Sequence, residues 1–281
     1  CYIYFPMGIS RDVGYLHLED GTILEGKLFG YRTQTNGEVV FTTGMTGYPE
    51  SLTDPSFAGQ ILTFTYPLIG NYGVPKPIYQ DKHLLENFES EKIWVKGIVV
   101  GKDIELPSHH KQYLTLDLWL KQQKIPGISN IDTRFLTQKL REKGVMQGRI
   151  TGTKKRQPIL SDSTYWVSLT SFGQILRYVP QKSCGLTVVL IDCGVKHGIL
   201  RALLSYGYTV VRLPHDVNPL SLGEKLAGVV CSNGPGDPKM CQKTVSNIRQ
   251  VLKADLPFLG ICLGHQLLAL SLGAGTFKLK F

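Results

Sequence analysis

Long hydrophobic runs are missing from this sequence. None of its apolar stretches approaches the ~18 residues that a membrane-crossing helix needs, so no membrane role is expected. Positions 1–6 are apolar but lack a basic flank and a small-residue cleavage site, which argues against a secretory signal. Cysteine is sparse: six in 281 residues, unevenly spaced and without a C-x-x-C pair, so neither a disulfide framework nor a metal or redox site is expected. A reducing, cytoplasmic setting fits that usage. Acidic residues are in deficit, 22 against 31 basic ones, and the resulting +9 raises nucleic acid or an acidic protein as partner classes. There is also no G-x-x-x-x-G-K-[ST] loop, so ATP chemistry is not expected in this chain.

What is present is a globular composition, 42% hydrophobic and 19% charged, over a length that suits about two domains. From 14 to about 150, short alternating apolar stretches at 39–41 and 61–66 sit between Gly- and Pro-containing turns and read as strands. Asp20-Gly21 between two such stretches is a hairpin signal, because that pair tolerates the positive φ of a tight turn. Two helical periodicities follow, over 114–123 and 133–143, the second keeping Phe135, Leu136 and Leu140 for the core. The expectation is an α+β domain over 14–151.

Residues 152–185 have weak periodicity and are read as a linker. From 186 to 281 the pattern becomes regular. Strands are expected at 187–191, 208–213, 228–231 and 258–261, alternating with helices at 197–206, 219–226, 239–253 and 267–270. That alternation predicts an α/β doubly wound parallel sheet with helices on both faces. The charge excess is local: eight basic residues stand against Glu142 alone over 134–156, a net +7 of the +9. No recognition motif accompanies it, so nucleic-acid binding is the weaker reading and a solvated helix face and linker the stronger.

The most informative string is G-I-C-L-G-H-Q at 260–266, where an apolar strand runs through Gly-x-Cys-x-Gly into an apolar helix. This is the nucleophile-elbow pattern with cysteine as nucleophile; side chains two residues away on either side would clash in so sharp a turn. Cys262 would stand at a helix N-terminus, where the dipole and free N–H groups favour a thiolate, with the Leu263 N–H placed to receive an oxyanion. A core role is read instead for Cys1, Cys184, Cys193, Cys231 and Cys241. A second loop, S-N-G-P-G-D-P at 232–238, begins 30 residues before Cys262 and follows a neighbouring strand, so both loops meet at one sheet edge.

Together these strings resemble the class I glutamine amidotransferases, which hydrolyse glutamine through a cysteine thioester. The first half narrows the family. L-E-D-G-T at 18–22, G-E-V-V-F at 37–41, M-T-G-Y-P-E at 45–50, L-T-D-P-S at 52–56, Y-P-L-I-G-N at 66–71 and I-D-T-R at 131–134 resemble the N-terminal domain of the carbamoyl-phosphate synthetase small, glutaminase subunit.

The resemblance implies that Cys262 is the nucleophile and that Ser56, Gly234, Gly236, Leu263 and Gln266 bind glutamine or its oxyanion. It implies L-glutamine as substrate and a large subunit or fused synthetase domain as partner, the latter carrying ATP and a divalent cation; no cofactor is expected in this chain. The ammonia released there would serve carbamoyl phosphate synthesis for pyrimidines and arginine. The family's catalytic His and orienting Glu lie downstream of the segment matching 276–281, so the second domain is expected to be incomplete and the chain to hydrolyse glutamine negligibly alone. A non-catalytic fragment or pseudoenzyme that docks on the synthetase is the alternative. His265 is poorly directed to replace the missing base, and His109, His110, His197 and His215 are read as surface residues.

Overall fold

Alternating apolar residues and well-placed glycines build the first half of the chain. In the computed structural model, which describes residues 12–103, 107–109, 112–159 and 163–279, strand β1 (Val13–Leu18) turns through Asp20 and Gly21 into β2 (Ile23–Gly30). Gly21 takes φ +92°, and the Asp20 carboxylate accepts the Thr22 N–H at 3.0 Å. There follow β3 (Thr35–Thr42), helix α1 (Tyr48–Thr53), β4 (Gln60–Ile69), the ribbon of β5 (Tyr79–Asp81) and β6 (Leu84–Leu85), and β7 (Gly97–Asp103). Helix α2 (Leu116–Gln122), β8 (Pro126–Ser129), α3 (Thr133–Lys143) and β9 (Met146–Thr151) complete this half.

Seven of these strands close into a barrel in the order β1-β2-β8-β7-β4-β3-β9, with β9 returning to β1. The barrel is mixed: β3, β4, β7 and β8 run parallel to their neighbours within that group, and the remaining pairings are antiparallel. Because side chains alternate across a strand, its wall feeds two cores. Ile61 and Val99 pack with Leu16, Ile128 and the α3 residues Leu136 and Leu140, while Leu62, Phe64, Ile98 and Val100 pack with α1 and α2. Phe135, expected in the core, is 43% exposed on the outer face of α3 with Lys139 beside its ring.

The segment read as a linker is structured. It carries helix α4 (Trp166–Thr170) and β10 (Leu176–Tyr178), and β10 adds an antiparallel edge to the second sheet. Trp166 lies against the barrel at Gly59, where any side chain would overlap its indole ring. The remaining elements are β11 (Thr187–Asp192), α5 (His197–Ser205), β12 (Thr209–Pro214), β13 (Gly228–Cys231), α6 (Gln242–Lys253), β14 (Phe258–Gly260) and α7 (Leu263–Ser271). The stretch at 219–226 forms only a 3-10 turn, Pro219–Leu222, because Asn218 caps its start and Gly223 leaves it at φ +67°.

The second sheet has the order β10-β12-β11-β13-β14, parallel from β12 to β14. From β11 the chain goes first to one side, β12, and then to the other, β13, so the order reverses between β11 and β13. Ligands of doubly wound sheets bind beyond the carboxyl ends of the strands at such a reversal. Both faces are covered: Val189, Ile191 and Val229 pack under α6 and α7, and Val188, Leu190 and Val210 pack with α5 and with Leu84 from the first half. Among the described residues no helix is long and apolar enough to cross a membrane.

Candidate functional site

Cys262 stands between the last residue of β14 and the first of α7, as the N-cap of that helix. Its backbone is at φ +51°, ψ −107°, a conformation that costs a non-glycine residue on the order of 1–3 kcal/mol. Hydrogen bonds on both sides hold it there: Ile261 N–H donates to Cys231 O at 2.9 Å, Gly264 N–H to Ser232 O at 3.1 Å, and the N–H groups of His265 and Gln266 to Cys262 O. The flanking glycines are required by close approach. A Cβ on Gly260 would lie 2.5 Å from Gly264 O, and one on Gly264 would lie 2.2 Å from Cys231 O. The thiol is exposed, and the Leu263 N–H, first of the helix, has no acceptor among the described residues.

The loop after β13 packs directly beneath this turn. A Cβ on Gly234 would meet Cys193 O at 2.1 Å and the Leu263 side chain at 2.8 Å, so only glycine fits. Gly236 is glycine for a different reason: nothing crowds it, but its φ is +88°. The adjoining loop after β11 is shaped by Asp192, fully buried at the strand end. Its carboxylate accepts the N–H groups of Gly194, Val195 and Phe172, each at 2.8 Å, and pairs with the buried Arg212 at 2.7 Å.

Ser56 reaches this cluster from the barrel half. Asp54 ends α1 and accepts the Ser56 N–H at 2.9 Å, turning the chain so that Ser56 Oγ receives the Asn233 side-chain amide at 2.8 Å. Asn233 also donates to Gly194 O and accepts the Lys196 N–H, while the Lys196 ammonium meets Asp54 at 2.7 Å. Asp54, Asp192, Lys196 and Asn233 were not singled out from the sequence. A charged residue closing the β-branched run at 187–192, and an asparagine beside two required glycines, are the signals that point to two of them.

The expected residues therefore fall into two groups. Ser56, Gly234, Leu263 and Cys262 are connected through Asn233 and the elbow. Gly236 and Gln266 line a cleft of about 590 Å³ between the halves, with Trp166, Gln147 and Met240; Cys262 and Ser56 are not among its lining residues. His265 is exposed one helical turn from Cys262, and no hydrogen bond joins its ring to the thiol among the described residues.

Two expectations about other residues are corrected. His197 is not at the surface: it is 2% exposed, accepts the Leu85 N–H at its Nδ1, and burial draws its pKa down to about 3. His215 is half-buried with its pKa also lowered by burial, and His109 is exposed. Cys184 is exposed, whereas Cys193, Cys231 and Cys241 are buried as expected; Cys1 and His110 lie outside the described residues. The Cys193 and Cys231 sulfurs stand 3.8 Å apart, and that contact, with burial, pushes the Cys193 thiol well up. No group of three or more His, Cys, Asp or Glu side chains is placed to hold a metal ion among the described residues.

Comparison with known proteins places both halves. Residues 16–150 match the family model of the carbamoyl-phosphate synthase small chain, CPSase domain, and residues 189–281 match that of class-I glutamine amidotransferase. The chain is 42% identical over 279 residues to the carbamoyl phosphate synthase small chain of Saccharolobus solfataricus, covering 98% of this chain and 76% of that protein. It is 46% identical over 277 residues to the small chain of Archaeoglobus fulgidus, covering 95% and 74% respectively. It is 42% identical over 272 residues to the multifunctional protein CAD of Squalus acanthias, covering 95% of this chain and 12% of that one.

Proposed function

The chain belongs to the carbamoyl-phosphate synthase small-chain family, a glutamine amidotransferase, and from that premise we propose that Cys262 is its glutaminase nucleophile. The observation that carries the assignment is the elbow: an exposed thiol on a positive-φ turn at a helix start, between two glycines that tolerate no side chain. In this reading the thiolate attacks the side-chain carboxamide carbon of L-glutamine. A sulfur–carbon bond forms and the carbonyl electron pair moves to oxygen. The Leu263 and Gly236 N–H groups receive that oxyanion, as preorganised backbone donors do in acyl transfer. Collapse expels the nitrogen as ammonia once it is protonated, and water then cleaves the thioester to give glutamate and the free thiol. Ser56, Gly234 and Gln266 hold the amino acid. No described histidine is assigned as the base.

The domain division that goes with this reading is 14–151 and 186–281, with α4 and β10 of the intervening segment docked on the second sheet. Relatives named as small chains, and one much longer multifunctional relative, support a large synthetase as partner, separate or fused. The five described cysteines are all free, which supports a cytoplasmic setting.

The test is covalent labelling by a glutamine-like chloroketone in the natural full-length enzyme. Label should map to Cys262, be blocked by excess glutamine and be lost in Cys262→Ser; equal labelling of that variant refutes the assignment.

A further inference from the structure

Glu89 belongs to the loop after the β5–β6 ribbon and is not among the residues that the family resemblance assigns to glutamine. Its carboxylate nevertheless does two things at the start of α5: it accepts the Gly198 N–H at 2.8 Å and pairs with Arg201 at 3.1 Å. Its backbone carbonyl accepts the His197 N–H at 2.9 Å. A helix N-terminus with free N–H groups favours a carboxylate in this position. Arg201 in turn donates to the carbonyls of Leu85 and Phe88, so the whole loop is fastened to the helix.

The other side of the same residue faces the barrel half. The Glu89 N–H donates to Thr53 Oγ1 at 3.0 Å, and Ser90 Oγ donates to the Thr53 carbonyl. Thr53 is the last residue of α1, immediately before the Asp54 that turns the chain into Ser56. From Ser56 the connection continues through Asn233 to the Lys196 N–H, and Lys196 is the N-cap of α5, next to His197 and Gly198. These contacts form a closed ring: Glu89, Thr53 to Ser56, Asn233, Lys196 to Gly198, and back to Glu89. Both halves of the protein contribute to it, and within it the Glu89 carboxylate bonds the backbone of the helix start, whereas Asp54 reaches the N-cap only through the Lys196 ammonium.

We propose that Glu89 is a positioning residue for glutamine hydrolysis: by locking the start of α5 to the turn at 53–56, it sets the placement of Ser56 in the glutamine site. The inference rests on the glutaminase reading given above and acts only through Ser56. Removing the Glu89 charge loosens the ring, whose backbone bonds to Thr53 and His197 remain, and leaves the elbow, its glycines and the Leu263 N–H untouched, so substrate binding weakens while chemistry at the thiol persists.

The experiment is a double-mutant cycle in the natural full-length enzyme with its synthetase, using Glu89→Gln and Ser56→Ala singly and together. Charge-assisted hydrogen bonds are each worth roughly a factor of ten, so Glu89→Gln should raise the glutamine KM about tenfold. Its kcat should stay within about threefold, and synthesis from supplied ammonia should be unchanged. In the Ser56→Ala background Glu89→Gln should have no further effect on KM, because the residue it positions is gone. Equal effects in both backgrounds, or a parallel loss of ammonia-dependent synthesis, would overturn the proposal. If Glu89→Gln does not fold, Glu89→Asp, which keeps the charge but withdraws it from Gly198, takes its place in the same cycle. Glutamine-protected labelling of Cys262 in the unmutated enzyme separates the two readings: its absence defeats the glutaminase assignment, whereas labelling with an additive cycle defeats only the role of Glu89.

Discussion

Asn233 and Ser56 are 177 residues apart in sequence, and a 2.8 Å hydrogen bond from the asparagine amide to the serine hydroxyl ties the two halves of the protein together at the site. Asn233 is 4% exposed and satisfies three partners, Ser56 Oγ, Gly194 O and the Lys196 N–H. Replacing it with alanine strands a buried carbonyl, at a cost of about 1–3 kcal/mol, and a part-buried N–H at a smaller one. Asn233→Ala should therefore lower the denaturant midpoint measurably and raise the glutamine KM at least tenfold. Asn233→Asp, which turns a donor into an acceptor facing Gly194 O, should be at least as damaging. A variant with both parameters unchanged would show that Ser56 is placed by other contacts.

The glycines of the site make a sharper contrast. In Gly264→Ala the new methyl would stand 2.2 Å from Cys231 O, a backbone atom fixed in the sheet, so the elbow must open or β14 must shift. Gly236→Ala meets no atom and costs only the strain of its φ of +88°, on the order of 1–2 kcal/mol. The expected outcome is that Gly264→Ala yields insoluble or unfolded protein, while Gly236→Ala folds with a modestly lowered melting temperature. Thermal melts of the two variants side by side check it.

How much of this arrangement was legible in the sequence depended on how local its cause was. The elbow was readable because Gly-x-Cys-x-Gly between an apolar strand and an apolar helix is a local string, with Gly260 selected by Gly264 O four residues on, although Gly264 itself is demanded by the distant Cys231 O; the α3 bounds were readable because Asp132 caps the Phe135 N–H and Leu136 and Leu140 repeat at helical spacing. Barrel closure was not readable. It rests on β1 pairing with β9, Leu16 opposite Ile150, and alternation fixes which face a residue takes but not its partner so far along the chain. The 152–185 segment misled for a related reason: its three-residue strand and five-residue helix are too short to show a period, and they form because Trp166, Thr170 and Phe172 find Gly59, Cys193 O and Asp192. His197 was misread because an isolated histidine gives no sign that a distant backbone N–H, that of Leu85, will require an acceptor.

The basic stretch at 134–156 is less free than its sequence suggests. Lys139 pairs with Asp20 at 2.7 Å, Lys143 reaches the same carboxylate at 3.7 Å, and Arg156 donates to Glu19 O, so part of the charge secures the β1–β2 turn. Burial works to raise the Asp20 carboxyl, but the hydrogen bonds from Lys139 and Thr22 overcome it and hold the group well below the usual carboxylate range. A carboxyl whose folded pKa is depressed lends stability above its unfolded pKa, near 4, and withdraws it only in stronger acid. Asp20→Asn should lower stability at pH 7 by less than about 1 kcal/mol, and by less still in high salt. Replacing Lys154, Lys155 and Arg156 with alanine should leave folding unchanged, because among the described residues only the Arg156 side chain loses a partner. Denaturant titrations at low and high salt read both effects.

His197 gives the protein a separate response to acid. It is 2% exposed, its Nδ1 accepts the Leu85 N–H at 3.0 Å, and its proton therefore sits on Nε2 in the neutral ring. Burial, then the positive charges of Arg212 and Arg201, holds its pKa down to about 3, against an opposing pull from Asp192. In the unfolded chain the same imidazole titrates near 6.5. Between those values the unfolded state binds a proton that the folded state refuses, so stability falls as the pH is lowered from about 6.5 towards 3 and is indifferent to His197 above that range. The difference of pKa corresponds to about 5 kcal/mol lost across the whole window. Carboxylates contribute their own slopes, so the measurement is a comparison. His197→Asn places an amide oxygen where Nδ1 stood, keeps an acceptor for Leu85 and removes the titrating group. Its unfolding free energy, measured by urea titration from pH 8 to pH 4, should fall less steeply than that of the unmutated protein, with the two curves converging in slope above pH 7. Parallel curves throughout would show that His197 binds its proton equally well in the folded and unfolded states and that the Leu85 N–H is held by something else.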